Sequence, residues 1–181
     1  MSTGAVIALV IIVIGVVAVL GAAMWMLSRR RHLRDRFGPE YDRMVESGES
    51  RRAVERELRD RERRHNELEL KPLPPRERER YAKEWVAVQE NFVDTPTSAV
   101  HDADNLVTRL MRDRGYPTEG YEQQVRHLSV EHGHTLEHYR EAHEITNRAA
   151  AKEATTEDLR GAMVHYRAVF EDLLTRAERT A

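Results

Sequence analysis

The sequence predicts an all-α protein with a single N-terminal transmembrane helix, a charged helical juxtamembrane stalk and a C-terminal bundle of about five helices. Three observations predict it. Residues 5–27 read AVIALVIIVIGVVAVLGAAMWML without a charged side chain. Beyond residue 72, apolar residues recur three, four and seven positions apart, the period of helices with one buried face. No stretch alternates apolar and polar residues for long enough to make a strand. The chain divides accordingly into a short tail at 1–4, a span at 5–27, a stalk at 28–71 and a bundle domain at 72–181.

A helix over 5–27 is about 35 Å long, enough to cross a hydrocarbon core about 30 Å thick. Helix is the only way for one segment to pair all its backbone groups in lipid. A secretory signal would begin with a positive stretch and a shorter apolar run, whereas residues 1–4 are MSTG. The chain has no cysteine, which excludes a lipidated-cysteine anchor, disulfides and thiolate metal sites. Arg29, Arg30, Arg31, Arg34 and Arg36 follow the apolar run and are the candidate lipid-headgroup residues. Such a cationic flank stays on the cytoplasmic side, which predicts a single-pass inner or plasma membrane protein, N-terminus out and C-terminal domain cytoplasmic. Trp25 stands where an interfacial aromatic belongs, and Ala18 with Ala22 forms one small-xxx-small pair.

The formal charge of −2 conceals an asymmetry. Residues 29–64 hold 13 Lys+Arg against 9 Asp+Glu, a net +4, and residues 65–181 hold 16 against 22, a net −6. A basic proximal segment suits an anionic leaflet, and an acidic distal domain argues against nucleic acid as a partner.

After the span, residues 29–37 continue the helix into the headgroups until Gly38-Pro39 breaks it. Residues 40–47 carry Tyr41, Met44 and Val45 on one side. Ser50 caps a helix predicted to reach residue 70, whose stripe is only Val54, Leu58, His65 and Leu68. Everything between is charged, so the expected form is a solvated stalk laced by pairs of opposite sign rather than a coiled coil. Residues 71–75, KPLPP, form an extended linker.

The bundle helices follow in turn. Residues 76–93 place Tyr81, Trp85, Val88 and Phe92 on one stripe. A helix from Pro96 or Thr97 carries Ala99, Ala103, Leu106 and Leu110, with Val100, Val107 and Met111 beside them, and stops at Gly115-Tyr116-Pro117. Thr118 opens the next, with Tyr121, Val125 and Leu128 inward, ending near Gly133. Leu136, Tyr139, His143 and Thr146 make a thinner stripe, and Thr155-Thr156-Glu157-Asp158 caps a last helix with Leu159, Met163, Tyr166, Phe170 and Leu173 inward.

The candidate chemistry is a histidine cluster: His127, Glu131, His132, His134, Glu137, His138, Glu141 and His143. On a continuous helix His134, His138 and Glu141 share a side and form a candidate metal set of the kind zinc or non-haem iron takes. An HExxH motif is absent, since Asn147 stands where the second histidine would be, and His138 and His143 lie about 140° apart around a helix. The competing reading is a polar solvated helix face with Tyr139 and His143 partly buried, and a pH-responsive surface is an equal possibility. There is no Gly-rich phosphate loop, GxSxG motif or framed pair of carboxylates, so no catalytic residue, cofactor or small-molecule ligand is inferred.

At 37–41, 81–93 (YAKEWVAVQENFV) and 158–174 (DLRGAMVHYRAVFEDLL) the chain resembles a family of actinobacterial and other bacterial proteins with an N-terminal hydrophobic segment, usually labelled hypothetical or secreted. The resemblance covers nearly everything after the anchor. It implies a bacterial origin and one family architecture, and no activity or site residue. The expected function is a membrane-anchored helical interaction or scaffold domain with a protein partner or self-association. The alternative is a membrane-tethered metal-dependent enzyme or sensor using His134, His138 and Glu141.

Overall fold

The computed structural model describes residues 3–179, without the side chains of 3, 5–11 and 177–179; the rest of the expected tail and bundle termini lies outside the described residues. Among the described residues there are eight α-helices and no strand. They are α1 (Thr3–Phe37), α2 (Pro39–Glu46), α3 (Arg51–Asn66), α4 (Pro75–Asp94), α5 (Pro96–Asp113), α6 (Tyr121–Glu131), α7 (Leu136–Ala150) and α8 (Thr156–Arg179). The all-α expectation holds, and α4 to α8 are the five bundle helices. One described helix, α1, is long and apolar enough to cross a membrane, and its apolar part is not buried within the protein.

The helices start and stop for local reasons. Pro39, Pro75 and Pro96 occupy first helical positions, where a missing N–H costs nothing. Ser50 Oγ accepts from the Ala53 N–H and opens α3. At the end of α5, Gly115 N–H bonds Arg112 O at 2.9 Å and Tyr116 N–H bonds Met111 O at 3.0 Å, a Schellman closure with Gly115 at φ 94°. Thr155 and Asp158 exchange backbone-to-side-chain bonds of 2.8 and 3.1 Å, the capping box expected for α8. Thr118 does not open α6. Its hydroxyl accepts from Arg112 Nε at 3.1 Å, and the helix begins at Tyr121 instead.

The main core gathers the predicted stripes of α4, α5, α7 and α8. Trp85 stacks on Phe170 with ring centroids 4.9 Å apart, tying α4 to α8. Pairs at 132/172, 138/165 and 148/158 run in opposite directions, so α7 and α8 are antiparallel.

The charged segment is helical as expected, but it does not stand free. A second core joins Leu33 and Phe37 of α1, Tyr41 of α2, Val54 and Leu58 of α3 and Val130 of α6, with Met44 and Val45 against it. The thin α3 stripe therefore needs no wide apolar face, because its partners come from the end of α1 and from the bundle. Glu40, only 4% exposed, fixes the arrangement. Its two carboxylate oxygens each accept from Arg140 of α7 at 2.8 Å, and Oε1 also faces Arg61 of α3 at 3.3 Å. Gly133 permits the close approach behind it, since a Cβ there would stand 2.6 Å from the Phe37 carbonyl oxygen.

Candidate functional site

The histidine-rich sequence is dealt out to three places. The first is a buried polar chain running from the stalk to α8. His132, at the end of α6, is 1% exposed. Its Nδ1 lies 2.7 Å from Asp172 Oδ2, and its Nε2 lies 3.2 Å from the Tyr116 hydroxyl. Tyr116 also reaches Glu131 Oε2 at 3.2 Å, and Glu131 Oε1 lies 3.3 Å from His65 Nε2 of α3. The one tyrosine proton goes either to Glu131, which requires an Nε2–H on His132, or to a neutral His132. Burial pushes the His132 imidazole down, with Asp172 partly opposing. Burial acts to raise the Asp172 carboxyl, but hydrogen bonds from His132 and Thr135 hold it well below the usual carboxylate range. Contact with His65 is the largest of the effects that hold Glu131 down at about 2. Neither buried ring nitrogen of His65 makes a well-aligned hydrogen bond. His127, on the flank of this chain, is pushed down to about 4 by burial and by the positive charge of His65, Arg126 and Arg64.

The second place is the face where His143 stacks on Tyr121, with centroids 4.1 Å apart and planes 9° from parallel. Glu137 is spent on Arg140 and Arg43.

The third is where the expected metal set is redrawn. His134 is exposed and lies in the turn before α7, so the i, i+4 relation to His138 does not exist. Its ring faces Gly38 instead, 3.4 Å from where a Cβ would stand. His138 and Glu141 on α7 meet His165 of α8. His138 Nδ1 lies 2.9 Å from His165 Nδ1, and His165 Nε2 lies 3.0 Å from Glu141 Oε2. Among the described residues this is a group whose three ligand atoms lie within 4.8 Å of one another. Two nitrogens on one tetrahedral zinc stand about 3.3 Å apart, against 2.9 Å between the His138 and His165 Nδ1 atoms, while Glu141 meets the other nitrogen of the His165 ring. His165 escaped the sequence reading because only the register of α7 against α8 brings it there.

The arginines after the apolar run are also unequal. Arg29 lies over Trp25 at 4.3 Å, Arg30 pairs with Glu55 at 2.9 Å and Arg34 with Asp42 at 3.1 Å. Arg36 stands 3.9 Å from Glu62 and 4.0 Å from Glu131. Of the five candidate headgroup residues, Arg31 alone has neither an ion pair nor a ring contact among the described residues.

Outside the apolar run of α1, the exposed large apolar side chains among the described residues are Val86, Val93 and Val164. Val86 and Val93 lie seven apart on one side of α4. Val164 of α8 lines a cleft of about 230 Å³ with Phe92 and Met163, rimmed by Arg160 and Arg167.

No family model matches the chain, and comparison with curated proteins and with solved structures found no match.

Proposed function

We propose that this is a single-pass membrane protein, N-terminus out, that holds a helical interaction module rigidly at the cytoplasmic face of the cell membrane. The observation that carries the reading is the position of Leu33 and Phe37. They extend the apolar helix and are buried, at 1% and 0% exposure, in the core that α2, α3 and α6 complete. A flexible tether would leave the module free to tumble, whereas this continuity fixes which faces point away from the bilayer. The Phe92, Met163 and Val164 cleft with Val86 and Val93 nearby is the proposed seat for an apolar side chain of a protein partner. Site-specific photocrosslinkers at Val86, Val93 and Val164 in native membranes test this. The reading expects one adduct shared by the three positions and missing from an equally exposed control at Glu153. Equal labelling at the control, or none at the valines, contradicts it. A reporter fused after the last residue tests orientation, and activity only from an extracytoplasmic reporter reverses it.

A second reading has its own observation, the convergence of His138, Glu141 and His165. With three protein donors and an open position, the group suits a zinc-responsive sensor. Zinc titration of the full chain in detergent is expected to give one equivalent bound, lost in His165→Ala and retained in His134→Ala. Loss in neither variant, or in both equally, discards the reading.

A further inference from the structure

The arginine-rich foot of the membrane helix encloses a pocket that none of the preceding roles uses. Its volume is about 290 Å³, and its wall includes Leu27, Arg31, Arg34, Tyr41, Asp42 and Arg51. Three elements build it: the end of α1, Tyr41, Asp42 and Val45 of α2 across the Gly38 break, and the first residue of α3. Their charges do not cancel. Arg34 is spent on Asp42, and the neighbouring Arg30 on Glu55, to which the Tyr41 hydroxyl also donates at 3.4 Å. Arg31 and Arg51 are left, and among the described residues neither has an ion pair.

Arg51 is the first helical residue of α3, so the N-terminal end of that helix adds positive potential on its side of the pocket. Leu27, the last residue of the apolar run, adds an apolar surface to the pocket that continues into the run itself. Two unneutralised guanidinium groups and an apolar rim at headgroup depth are the chemistry that recognises a phosphate carried on an acyl chain. We infer that this pocket binds the phosphate of an anionic phospholipid, held by Arg31 and Arg51, with the acyl chain leaving along Leu27. The inference rests on the reading of α1 as a membrane span and names the lipid chemistry that the span's flank selects.

This also explains why the flanking arginines are so unequal. Arg30, Arg34 and Arg36 hold α2 and α3 in place, and the ordered pocket lets two cations act on one phosphate rather than on the leaflet at large. The proposed ligand would thereby bridge α1 and α3, stiffening the joint between span and module.

The test uses the full chain in nanodiscs made from equal parts of phosphatidylcholine and phosphatidylglycerol, with retained lipid read by native mass spectrometry after release. The protein is expected to retain phosphatidylglycerol over phosphatidylcholine by about thirtyfold, as two cations near an anionic surface provide. Arg31→Gln/Arg51→Gln is expected to abolish the preference, whereas Arg34→Gln, which removes a paired cation, keeps most of it. Both substituted residues are exposed, so folding is not at stake, and unchanged circular dichroism verifies it. Equal retention of the two lipids by the wild type, or a preference that survives the double substitution, overturns the inference. A parallel arm adds millimolar inorganic phosphate. Persistence of the lipid supports the lipid assignment, and displacement reassigns the pocket to free phosphate and overturns it. Extraction of the chain from membranes by alkaline carbonate would overturn the membrane span and the lipid with it, whereas a retained chain without lipid preference overturns the pocket alone.

Discussion

Replacing Glu40 with Gln tests how firmly the charged segment is held. The change is nearly isosteric but removes the one carboxylate that faces both Arg61 and Arg140. Losing one partner of a buried ion pair costs about 3–5 kcal/mol, because the charge left behind stays desolvated. Here the cost is reduced. The Arg61 and Arg140 side chains are 13% and 16% exposed and can recover some water, and each retains a second carboxylate, Glu57 at 2.9 Å and Glu137 at 3.3 Å. A loss of about 2–3 kcal/mol is therefore expected. Urea unfolding of the full chain in detergent measures it, alongside amide exchange over α2 and α3. The double variant Glu40→Gln/Arg140→Gln should lose less than the two single variants together, with a coupling of about 1–2 kcal/mol. A change below about 0.5 kcal/mol in Glu40→Gln, with exchange over α2 and α3 also unaltered, would refute the reasoning, since surface substitutions lie in that range.

Three further outcomes follow from the same geometry. Gly133→Ala drives a methyl against the Phe37 carbonyl and should cost about 1–3 kcal/mol by forcing the α6–α7 turn away from α1, seen as a lower urea midpoint and faster exchange at residues 33–37. Lys152→Gly should raise stability by about 1 kcal/mol in the same unfolding assay, because Lys152 sits at φ 62° in the Schellman closure of α7, a conformation glycine adopts without a Cβ clash. Stability should fall on acidification in two stages. His127 and Glu131 both have folded values below their ordinary ones, so the native state binds fewer protons than the unfolded chain. The His127 contribution is lost as pH falls from 6.5 through about 4 and that of Glu131 from 4.5 through about 2, each on the order of 2–3 kcal/mol. Urea midpoints measured against pH check this, and His127→Gln should shrink the upper stage without touching the lower one, the remainder of the upper stage coming from His132, which burial also pushes down.

What the sequence disclosed depended on whether partners lay within one helix or across several. The stripes of α4, α5, α7 and α8 each hold enough apolar residues on a single face to be legible alone, and Thr155 with Asp158 announced a helix start at short range. The second core could not be read that way. Val54 and Leu58 look too sparse to hold a helix down, because Leu33, Phe37 and Val130 come from distant segments. The charged surface of α3 was equally misleading, since Arg61 turns inward to meet Glu40 of α2 and Ser129 of α6. Among the site residues, His138 and Glu141 were legible from spacing, but His134 fell outside the helix at the Gly133 turn. His165 depended on the pairing of α7 with α8, which single-helix periodicity does not carry.

The continuity of the long apolar helix, the charged segment and the bundle is the account's central claim, and limited trypsin digestion of the full chain in detergent tests it most directly. Residues 29–64 offer 13 Lys and Arg cleavage points, so a free stalk would be cut there within the first minutes. With α2 and α3 docked through Glu40, Leu33, Phe37 and Val130, the segment should resist cleavage as long as the bundle itself does, and Glu40→Gln should shorten that time. Rapid cutting within residues 51–66 of the unaltered protein, releasing an intact bundle beginning near residue 67, would contradict the account.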